Sequence, residues 1–368
     1  MSPTLPLSFC LSLAVTVGSA GITLEPLWSG QADSYGVAGV KVDRPASTRG
    51  GTFNTAEDCI ASVAKGDGTV RLWNAESGKE LWDVRIGPEI EAVAFTREGR
   101  YVITAGENPK TELSVLIAAD GSLLRNFDEP AGVLCLRPSP DGKRVATGDS
   151  AGFVRLRDLA DEDPLRWPFS PVTAVVHGPD SDAPGGGKGQ GDVHQLDWSS
   201  DGKFLFSAGA NGVIRQWESA KMALPETGLV RSFRGHKQAV KCLRVSPNDQ
   251  LIASVSEGTG KTKPAKVMVH EIGTGKIRLE HSLNVPRVTG AVAFSPDGEW
   301  LLAGGSPETG GPDGLITIWQ VSRLLAGKTE PLKTVPMYDL EAFFFKRDGS
   351  RLVTCHRDGS LRVWKVGK

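Results

Sequence analysis

The segment SRLVTCHRDGSLRVWKV, residues 350–366, decides the fold of this chain. Apolar residues alternate on both sides of the turn residues at 357–359, which predicts strands at 351–355 and 360–366 joined as a β-hairpin. The same pattern returns as IASVAKGDGTVRLWNAESG at 60–78 and as LFSAGANGVIRQWES at 205–219. Three such copies, far apart in the chain, indicate a repeat protein.

A second series of turns sets the length of the repeat. The second residues of these turns follow one another at intervals of roughly 40–60 positions; they are Gly99, Gly142, Gly202, Asp249, Gly298 and Gly349. Four strand patterns lie within each interval, which is typical of the blades of a β-propeller. The longest interval contains GPDSDAPGGGKGQGD, residues 178–192, which we interpret as an insertion between two blades after a strand at 172–176.

The number of third strands predicts the number of blades. Seven units contain a third strand. The residues near the end of that strand are Trp73, Leu116 or Ile117, Arg157, Trp217, His270, Trp319 and Trp364. The last unit ends at Val366 before a fourth strand, whereas ITLEPLWS at 22–29 has the pattern of one. We therefore expect an all-β, seven-bladed propeller of four-stranded antiparallel blades, closed by the N-terminal strand pairing with the last blade. The stretch 43–54 gives no clear register.

Several of these units resemble the WD-repeat β-propeller family. The resemblance rests on FSPDGEWLLAGG, DGTVRLWN, GANGVIRQWE and DGSLRVWK, together with Gly235 and His236, and it covers nearly the whole chain after about residue 22. It implies the propeller fold and the binding of a protein or peptide partner. The repeats are degenerate, and the family's buried Asp–His–Ser/Thr–Trp network is complete in no unit, so apolar burial should hold the blades together. His236 is expected to stabilise a turn, with a functional histidine as the alternative.

The first 20 residues are expected to form a signal peptide or a disordered leader. They contain a short apolar core and end in Gly18, Ser19 and Ala20, the small residues that a signal peptidase reads, although Lys and Arg are missing before the core. Cleavage would make this an exported, bacterial-type member of the family, periplasmic or secreted; otherwise the protein is cytoplasmic. Residues 21–368 then form one propeller domain.

Charge and cysteine content narrow the function further. The net charge of -1 argues against a nucleic-acid partner, and no apolar run is long enough to span a membrane. Four of the five cysteines lie in strand patterns without CxxC spacing, which predicts buried free thiols, with a disulfide or a metal site as the alternative; they are Cys59, Cys135, Cys242 and Cys355. We expect a monomeric propeller, or one module of a larger assembly.

One face of the propeller is the candidate binding surface. The connections between second and third strands are long at 107–112, 257–266 and 306–314, and in a propeller they share a face with the connections between blades. Neutral variation in loop length is the alternative explanation. Candidate binding residues lie in these connections or just before the first strands; they are Glu89, Lys110, Asp192, Gln238, Lys261, Lys263, Arg287 and Tyr338.

Motifs for catalysis or for a cofactor are missing from the sequence. GTGKT at 258–262 resembles the end of a phosphate-binding P-loop, but Val255 stands where that motif requires glycine. The six histidines form no HxxxH or HExxH pattern, and there is no GxSxG. We therefore expect a non-catalytic interaction scaffold without cofactor or metal. The alternative is a propeller enzyme, or a small-ligand or metal binder, with its site at the channel mouth.

Overall fold

A computed structural model gives the architecture of the chain. It describes residues 23–31, 47–54, 56, 58–65, 68–87, 89–106, 113–159, 163–167, 173–176, 191–222, 228–258, 264–283, 291–306, 314–338, 340–356 and 360–367. Within these residues the strands form seven antiparallel sheets of four strands each. No helix in this part of the chain is long and apolar enough to cross a membrane.

The first four blades follow one another along the chain, each built from four consecutive strands. Blade 1 contains β2 (Ser47–Phe53), β3 (Cys59–Lys65), β4 (Thr69–Asn74) and β5 (Glu80–Arg85). Blade 2 contains β6 (Ile90–Phe95), β7 (Tyr101–Gly106), β8 (Leu113–Ile117) and β9 (Leu123–Phe127). Blade 3 contains β10 (Val133–Pro138), β11 (Arg144–Asp149), β12 (Phe153–Asp158) and β13 (Thr173–Val176). Blade 4 contains β14 (Val193–Trp198), β15 (Phe204–Gly209), β16 (Ile214–Glu218) and β17 (Leu229–Phe233).

The last three blades include the one that joins the two ends of the chain. Blade 5 contains β18 (Val240–Val245), β19 (Leu251–Ser256), β20 (Lys266–Glu271) and β21 (Ile277–Ser282). Blade 6 contains β22 (Ala291–Phe294), β23 (Trp300–Gly305), β24 (Leu315–Gln320) and β25 (Lys333–Pro336), with the short helix α1 (Val321–Leu325) after β24. Blade 7 contains β26 (Leu340–Phe345), β27 (Arg351–His356), β28 (Ser360–Gly367) and β1 (Thr23–Gln31).

The N-terminal strand closes the ring, as the sequence predicts. Strand β1 runs antiparallel to β28, with Thr23 opposite Gly367 and Gln31 opposite Ser360. Leu24 is 1% exposed and packs in the core shared by blades 6 and 7. The first strands of neighbouring blades contact each other around the whole ring, β26 with β2 included, so they surround the central channel. The seven-bladed closed propeller is thereby confirmed.

The turns between first and second strands have the expected backbone conformation. The six turn residues named in the sequence all have positive φ, from 55° at Asp249 to 73° at Gly298 and Gly349. A serine at the end of the first strand bonds the turn carboxylate, as Ser139 does with Asp141 at 2.5 Å. Asp141 also accepts a hydrogen bond from the backbone N–H of Lys143. These local bonds fix the strand pairs, because Asp and Gly here supply the turn that the ladder needs.

The residue near the end of the third strand, which we call the third-strand position, differs from blade to blade. The indole N–H of Trp73 donates to Ser62, that of Trp217 to Ser207 and that of Trp364 to Thr354, at 2.7–2.9 Å. In blade 7, His356 also bonds Thr354 at 2.8 Å. Parts of the family's network therefore form even though the repeats are degenerate.

Blade 3 replaces the tryptophan by a buried ion pair. Arg157 pairs with Val145 on β11, as Trp217 pairs with Leu205 on β15, so the two residues occupy equivalent positions. Its guanidinium donates to Glu129 at 2.6 and 2.8 Å, and both side chains are almost completely buried. Glu129 precedes β10 by four residues, as His236 precedes β18. A charged pair thus stands where other blades of such repeats carry His and Trp.

The cysteines in the described residues are free thiols. Cys135, Cys242 and Cys355 are buried, and Cys59 is half-buried. Burial raises the pKa of Cys135 and of Cys355 to about 12, with the Glu341 charge adding to the effect at Cys355. These thiols stay protonated and pack as small hydrophobic groups, as expected. Cys10 lies outside the described residues.

Candidate functional site at the mouth of the central channel

One end of the channel is formed by two kinds of connection, those that enter a first strand and those that leave a second strand. They are joined by backbone hydrogen bonds, from Ala210 to Asp192 at 2.9 Å and from Glu257 to Ala239 at 2.8 Å. A Cβ on Gly209 would lie 1.9 Å from the carbonyl oxygen of Asp192, so glycine is required for this close approach. We call this end of the channel the entry face.

A β-bulge lies near the start of the first strand in six blades, at the second residue in five of them and at the third residue in blade 1. The strand pairing shifts there, for example between Val193 and Gln195 and between Val240 and Cys242. The extra residues whose side chains the structure describes are Glu91, Leu134, His194, Lys241 and Glu341. A bulge bends the strand and re-aims the side chain of its extra residue. The innermost strands therefore present a series of mostly charged residues at the entry face.

Contacts between neighbouring blades bring two of these side chains together. The Lys241 ammonium lies 3.2 Å from His194 Nε2 and 3.6 Å from the Glu257 carboxylate. Burial, and then the Lys241 charge, lower the pKa of His194 to about 4. The imidazole is therefore neutral at pH 7, and its Nε2 accepts a hydrogen bond from the ammonium. Blades 4 and 5 and the connection after β19 thus share one polar cluster.

The predicted site residues that the structure describes all lie at this face. Glu89 precedes β6, Asp192 precedes β14, and Gln238 and Tyr338 lie two residues before β18 and β26. Glu89 and Tyr338 are exposed, with Tyr338 at 49%, whereas Asp192 and Gln238 are half-buried. Glu89 has a φ of 65°, an uncommon conformation for a residue with a side chain. These four residues come from blades 2, 4, 5 and 7 and surround the channel rather than forming a single cluster.

Other predicted residues fall outside the described part of the chain. They are Lys110, Lys261, Lys263 and Arg287. Of the three long connections that suggested the candidate face, 107–112 lies there wholly, 306–314 mostly and 257–266 by half. The candidate face therefore rests on the residues next to the first strands.

The sequence interpretation missed the bulge residues. Their signal is a polar residue at the second position of an apolar first strand, as in IEAVAF, VHQLDW, VKCLRV and LEAFFF. Alternation alone assigns such a residue to a blade interior, because a bulge is defined by pairing with the second strand. Glu341 is an example: its side chain is only 6% exposed although it is an acidic residue.

The entry face carries charges of both signs. Glu89, Glu91 and Glu341 are acidic, Lys241 is basic, and His194 is neutral at pH 7. Among the described residues, no group of three or more His, Cys, Asp or Glu side chains is placed to hold a metal ion. Mixed charges around an exposed aromatic residue suit a polar protein surface better than a phosphate or a polyanion.

These features define a propeller whose channel mouth carries a polar, multi-blade surface. The chain matches the family model described as WD domain, G-beta repeat, at residues 121–158, 186–218, 227–261, 279–320 and 332–365. It belongs to the WD-repeat β-propeller family. The five matches lie in the region of blades 2 to 7, and blade 1 is recognised from its strand pairing.

Curated relatives are similar at low identity. Telomerase protein component 1 of Rattus norvegicus is 24% identical over 92% of this chain, and the match covers 14% of that protein. Actin-interacting protein 1 of Drosophila melanogaster is 22% identical over 74% of this chain and 41% of its own length. Small ribosomal subunit protein RACK1y of Oryza sativa subsp. japonica is 26% identical over 50% of this chain and 52% of its own length. The chain therefore spans about half or less of these relatives.

Proposed function

We propose that this protein is a non-catalytic interaction scaffold whose entry face binds a protein or a peptide. Membership in the WD-repeat family supports a protein partner. The observation that carries the proposal for this face is the cluster of Lys241, His194 and Glu257, in which three elements supply polar groups to one surface. A rigid ring holds these side chains in place, which lowers the entropy lost on binding.

The mixed charge of the entry face indicates the kind of partner surface that it binds. Lys241 is about 30% exposed in its side chain and can exchange its intramolecular partners for those of a ligand. Tyr338 supplies an exposed aromatic ring, the type of residue enriched at interaction hot spots. The partner surface would then be polar, with at least one acidic group for Lys241 and an apolar edge for Tyr338.

Site-directed variants test the face against the opposite end of the propeller. Lys241→Glu should reduce about tenfold the amount of partner protein that the purified protein captures from its native organism. The reason is that the substitution reverses the charge of Lys241 in its half-buried pair with Glu257. Glu98→Lys is the matched control, since Glu98 is exposed in the turn between β6 and β7 at the other end. Partners retained by Lys241→Glu but lost with Glu98→Lys would place the interface on the opposite face.

Photo-crosslinking gives an independent readout. A photoreactive phenylalanine at position 338 replaces one exposed aromatic residue by another and should crosslink to the captured partner. The same group at position 98 should not. Equal crosslinking from both positions would contradict a specific entry-face interface.

Export of the protein belongs to the same proposal. The small residues 18–20 after a short apolar core support cleavage, and residues 1–22 lie outside the described part of the chain. N-terminal sequencing of the mature protein should give a start near residue 21. A retained Met1 would exclude cleavage.

A further inference from the structure

At the end of the propeller opposite the entry face, each pair of neighbouring blades forms a junction of the same construction. The residue two positions after the third-strand position donates its N–H to the carbonyl just before the second strand. This bond recurs in all seven blades at 2.7–2.9 Å, and its donors are Ala75, Ala118, Leu159, Ser219, Ile272, Val321 and Val366. The junctions can therefore be compared residue by residue.

Two positions of the junction between blades 1 and 2 carry unusually small side chains, beside Trp82, whose indole N–H donates to the carbonyl of Ala118 across the junction at 2.9 Å. The residue that begins the second strand is Cys59 in blade 1 but a larger residue in the other blades, namely Tyr101, Arg144, Phe204, Leu251, Trp300 and Arg351. The covering residue from the next blade is Ala118 here, whereas Leu159 covers the following junction. Two small residues facing each other leave a cleft of about 470 Å³. That volume is within the range of ligand sites in proteins.

The lining of this cleft is apolar at its base and polar at its mouth. Leu72, Phe95, Ile117 and Ala118 contribute the apolar surface, and Asp58 and Arg100 are also part of the lining. Asp58 is held by Asn54 at 2.6 Å. Within the described part of the chain, the Arg100 guanidinium makes no hydrogen bond or ion pair, and it is exposed. An occupant would meet an apolar floor, the carboxylate of Asp58 and the available positive charge of Arg100.

The next junction shows how the chain itself fills the equivalent space. Trp167, 5% exposed, packs edge-on to Tyr101 with ring centroids 6.3 Å apart, and Leu159 lies in the same core cluster. The Arg125 guanidinium donates to the carbonyls of Pro164, Leu165 and Trp167 at 2.8–3.0 Å.

The filling segment, residues 163–167, combines one acidic residue with a tryptophan, and two further acidic residues precede it in the sequence at 161 and 162. Lys143 occupies the position that corresponds to Arg100. The charge of such a segment is complementary to Arg100, and its aromatic ring matches the apolar floor. The chain thus shows that an aromatic side chain can fill a junction of this kind.

We propose that the cleft between blades 1 and 2 is a second binding site, which takes an acidic segment of a partner protein through one inserted aromatic side chain. Leu72, Phe95 and Ile117 contact the ring, and Arg100 pairs with the acidic residues. The site lies at the end opposite the entry face, so it is independent of the proposed function and lets the scaffold hold two partners at once.

A peptide copied from the chain tests this proposal. Fluorescently labelled ADEDPLRWP, residues 160–168, is titrated into the full-length protein, and binding is followed by fluorescence anisotropy. Saturable micromolar binding is expected, with a loss of about tenfold or more when the peptide tryptophan is replaced by alanine. Failure of the peptide to bind the wild-type protein overturns the proposal.

Variants of the protein locate the bound peptide. Ala118→Leu copies the residue that covers the next junction and should weaken binding at least tenfold, and Arg100→Glu should weaken it severalfold. Lys143→Glu, at the junction already filled by Trp167, is the matched control and should bind as the wild type does. Thermal unfolding of each variant checks that it is folded. Binding that Ala118→Leu leaves unchanged overturns the proposal, because the peptide then lies elsewhere.

Cys59 gives a second measurement at the same place. It lines the cleft and is half-buried, whereas the other described cysteines are buried. Bound peptide should slow alkylation of Cys59, followed by mass spectrometry at pH 8.5, and the tryptophan-free peptide should not. A variant lacking residues 1–21 is measured in parallel. Binding by that variant alone would mean that the chain's own N-terminal segment occupies the cleft, which contradicts a partner ligand.

Discussion

Single residues decide how the strands of each blade are held together. Trp73, Trp217 and Trp364 bond a serine or threonine on the neighbouring strand, while Arg157 uses a carboxylate at the same place in blade 3. A buried ion pair adds little net stability, because both charges lose their hydration. Removal of one partner is a different matter, since it leaves the other charge buried and uncompensated.

Blade 3 should therefore tolerate loss of both charges better than loss of one. We expect Glu129→Leu or Arg157→Met alone to lower the free energy of unfolding by about 3–5 kcal/mol, and the double variant to recover most of that loss. Urea unfolding followed by tryptophan fluorescence measures all three. Glu25→Gln, in the exposed pair with Lys365, is the control and should change stability by less than about 1 kcal/mol. Additive losses in the double variant would refute the coupling.

His236 should make stability depend on pH. It is 3% exposed, its Nε2 lies 2.7 Å from Ser254, and burial, followed by the charges of His270 and Lys266, lowers its pKa to about 3. The unfolded chain binds this proton near pH 6.5 and the folded chain does not. Stability is therefore complete above that pH and falls as the pH is lowered towards 3, by about 1.4 kcal/mol per pH unit for this group.

The variant His236→Gln isolates that contribution. Its free energy of unfolding, measured in urea at pH 7, 6 and 5, should fall less steeply than that of the wild type. His194, whose pKa is also lowered, supplies part of the remaining slope in both proteins. Identical slopes would mean that His236 is not a neutral buried group in the folded state.

At the scale of the elements, the strands were predicted correctly where the turns beside them contain Asp, Asn or Gly. These turn residues separate the apolar runs that predict the seven third strands and the strand at 172–176. The structure confirms the strand at 172–176 as β13 (Thr173–Val176). Strand β2 was not recognised, since its sequence STRGGTF has two glycines and one large apolar residue. Its place in the ring is fixed by pairing with β3 and by contacts with β6 and β26.

The closing strand gives the prediction at this scale. Deletion of residues 22–29 removes most of β1 and exposes the edge of β28, so the protein should aggregate or lose cooperative unfolding. Leu24→Ala keeps the strand but opens a cavity, and should cost about 2–4 kcal/mol. Leu27→Ser is the matched control in the same strand, because Leu27 is 45% exposed. Calorimetry shows the outcome, and an unchanged cooperative transition after the deletion would contradict the role of β1.

At the scale of the whole molecule, the ring and its closure followed from counting repeats, whereas the site did not. The count left the last unit one strand short, and 22–29 has the length and pattern of a fourth strand. The entry-face residues Lys241 and His194 come from different blades, and the cleft at Cys59 and Ala118 exists because two small residues meet across a junction. Such contacts depend on which residues of different blades lie next to each other in space, and a repeat pattern does not specify this.

A closed ring should tolerate a change in where the chain starts. Thr23 lies opposite Gly367, so a short linker can join them, and new ends can be placed between Asp120 and Gly121 in the turn after β8. We expect this circular permutant to fold, with its melting temperature within about 10 °C of the wild type. A permutant that fails to unfold cooperatively would show that the covalent connections, and not the ring of packed blades, determine the fold.

The pairing of β1 with β28 has a consequence for synthesis. Strand β1 is translated before the other strands of the ring and β28 after them, so all of blades 1 to 6 are made between the two partners. Throughout that time the nascent chain carries an unpaired apolar strand at one end and an incomplete row of blades at the other. A chaperone that shields β1 until β28 has been made would therefore set the yield of native protein, and the pairing of β1 with β28 would be the last part of the ring to form.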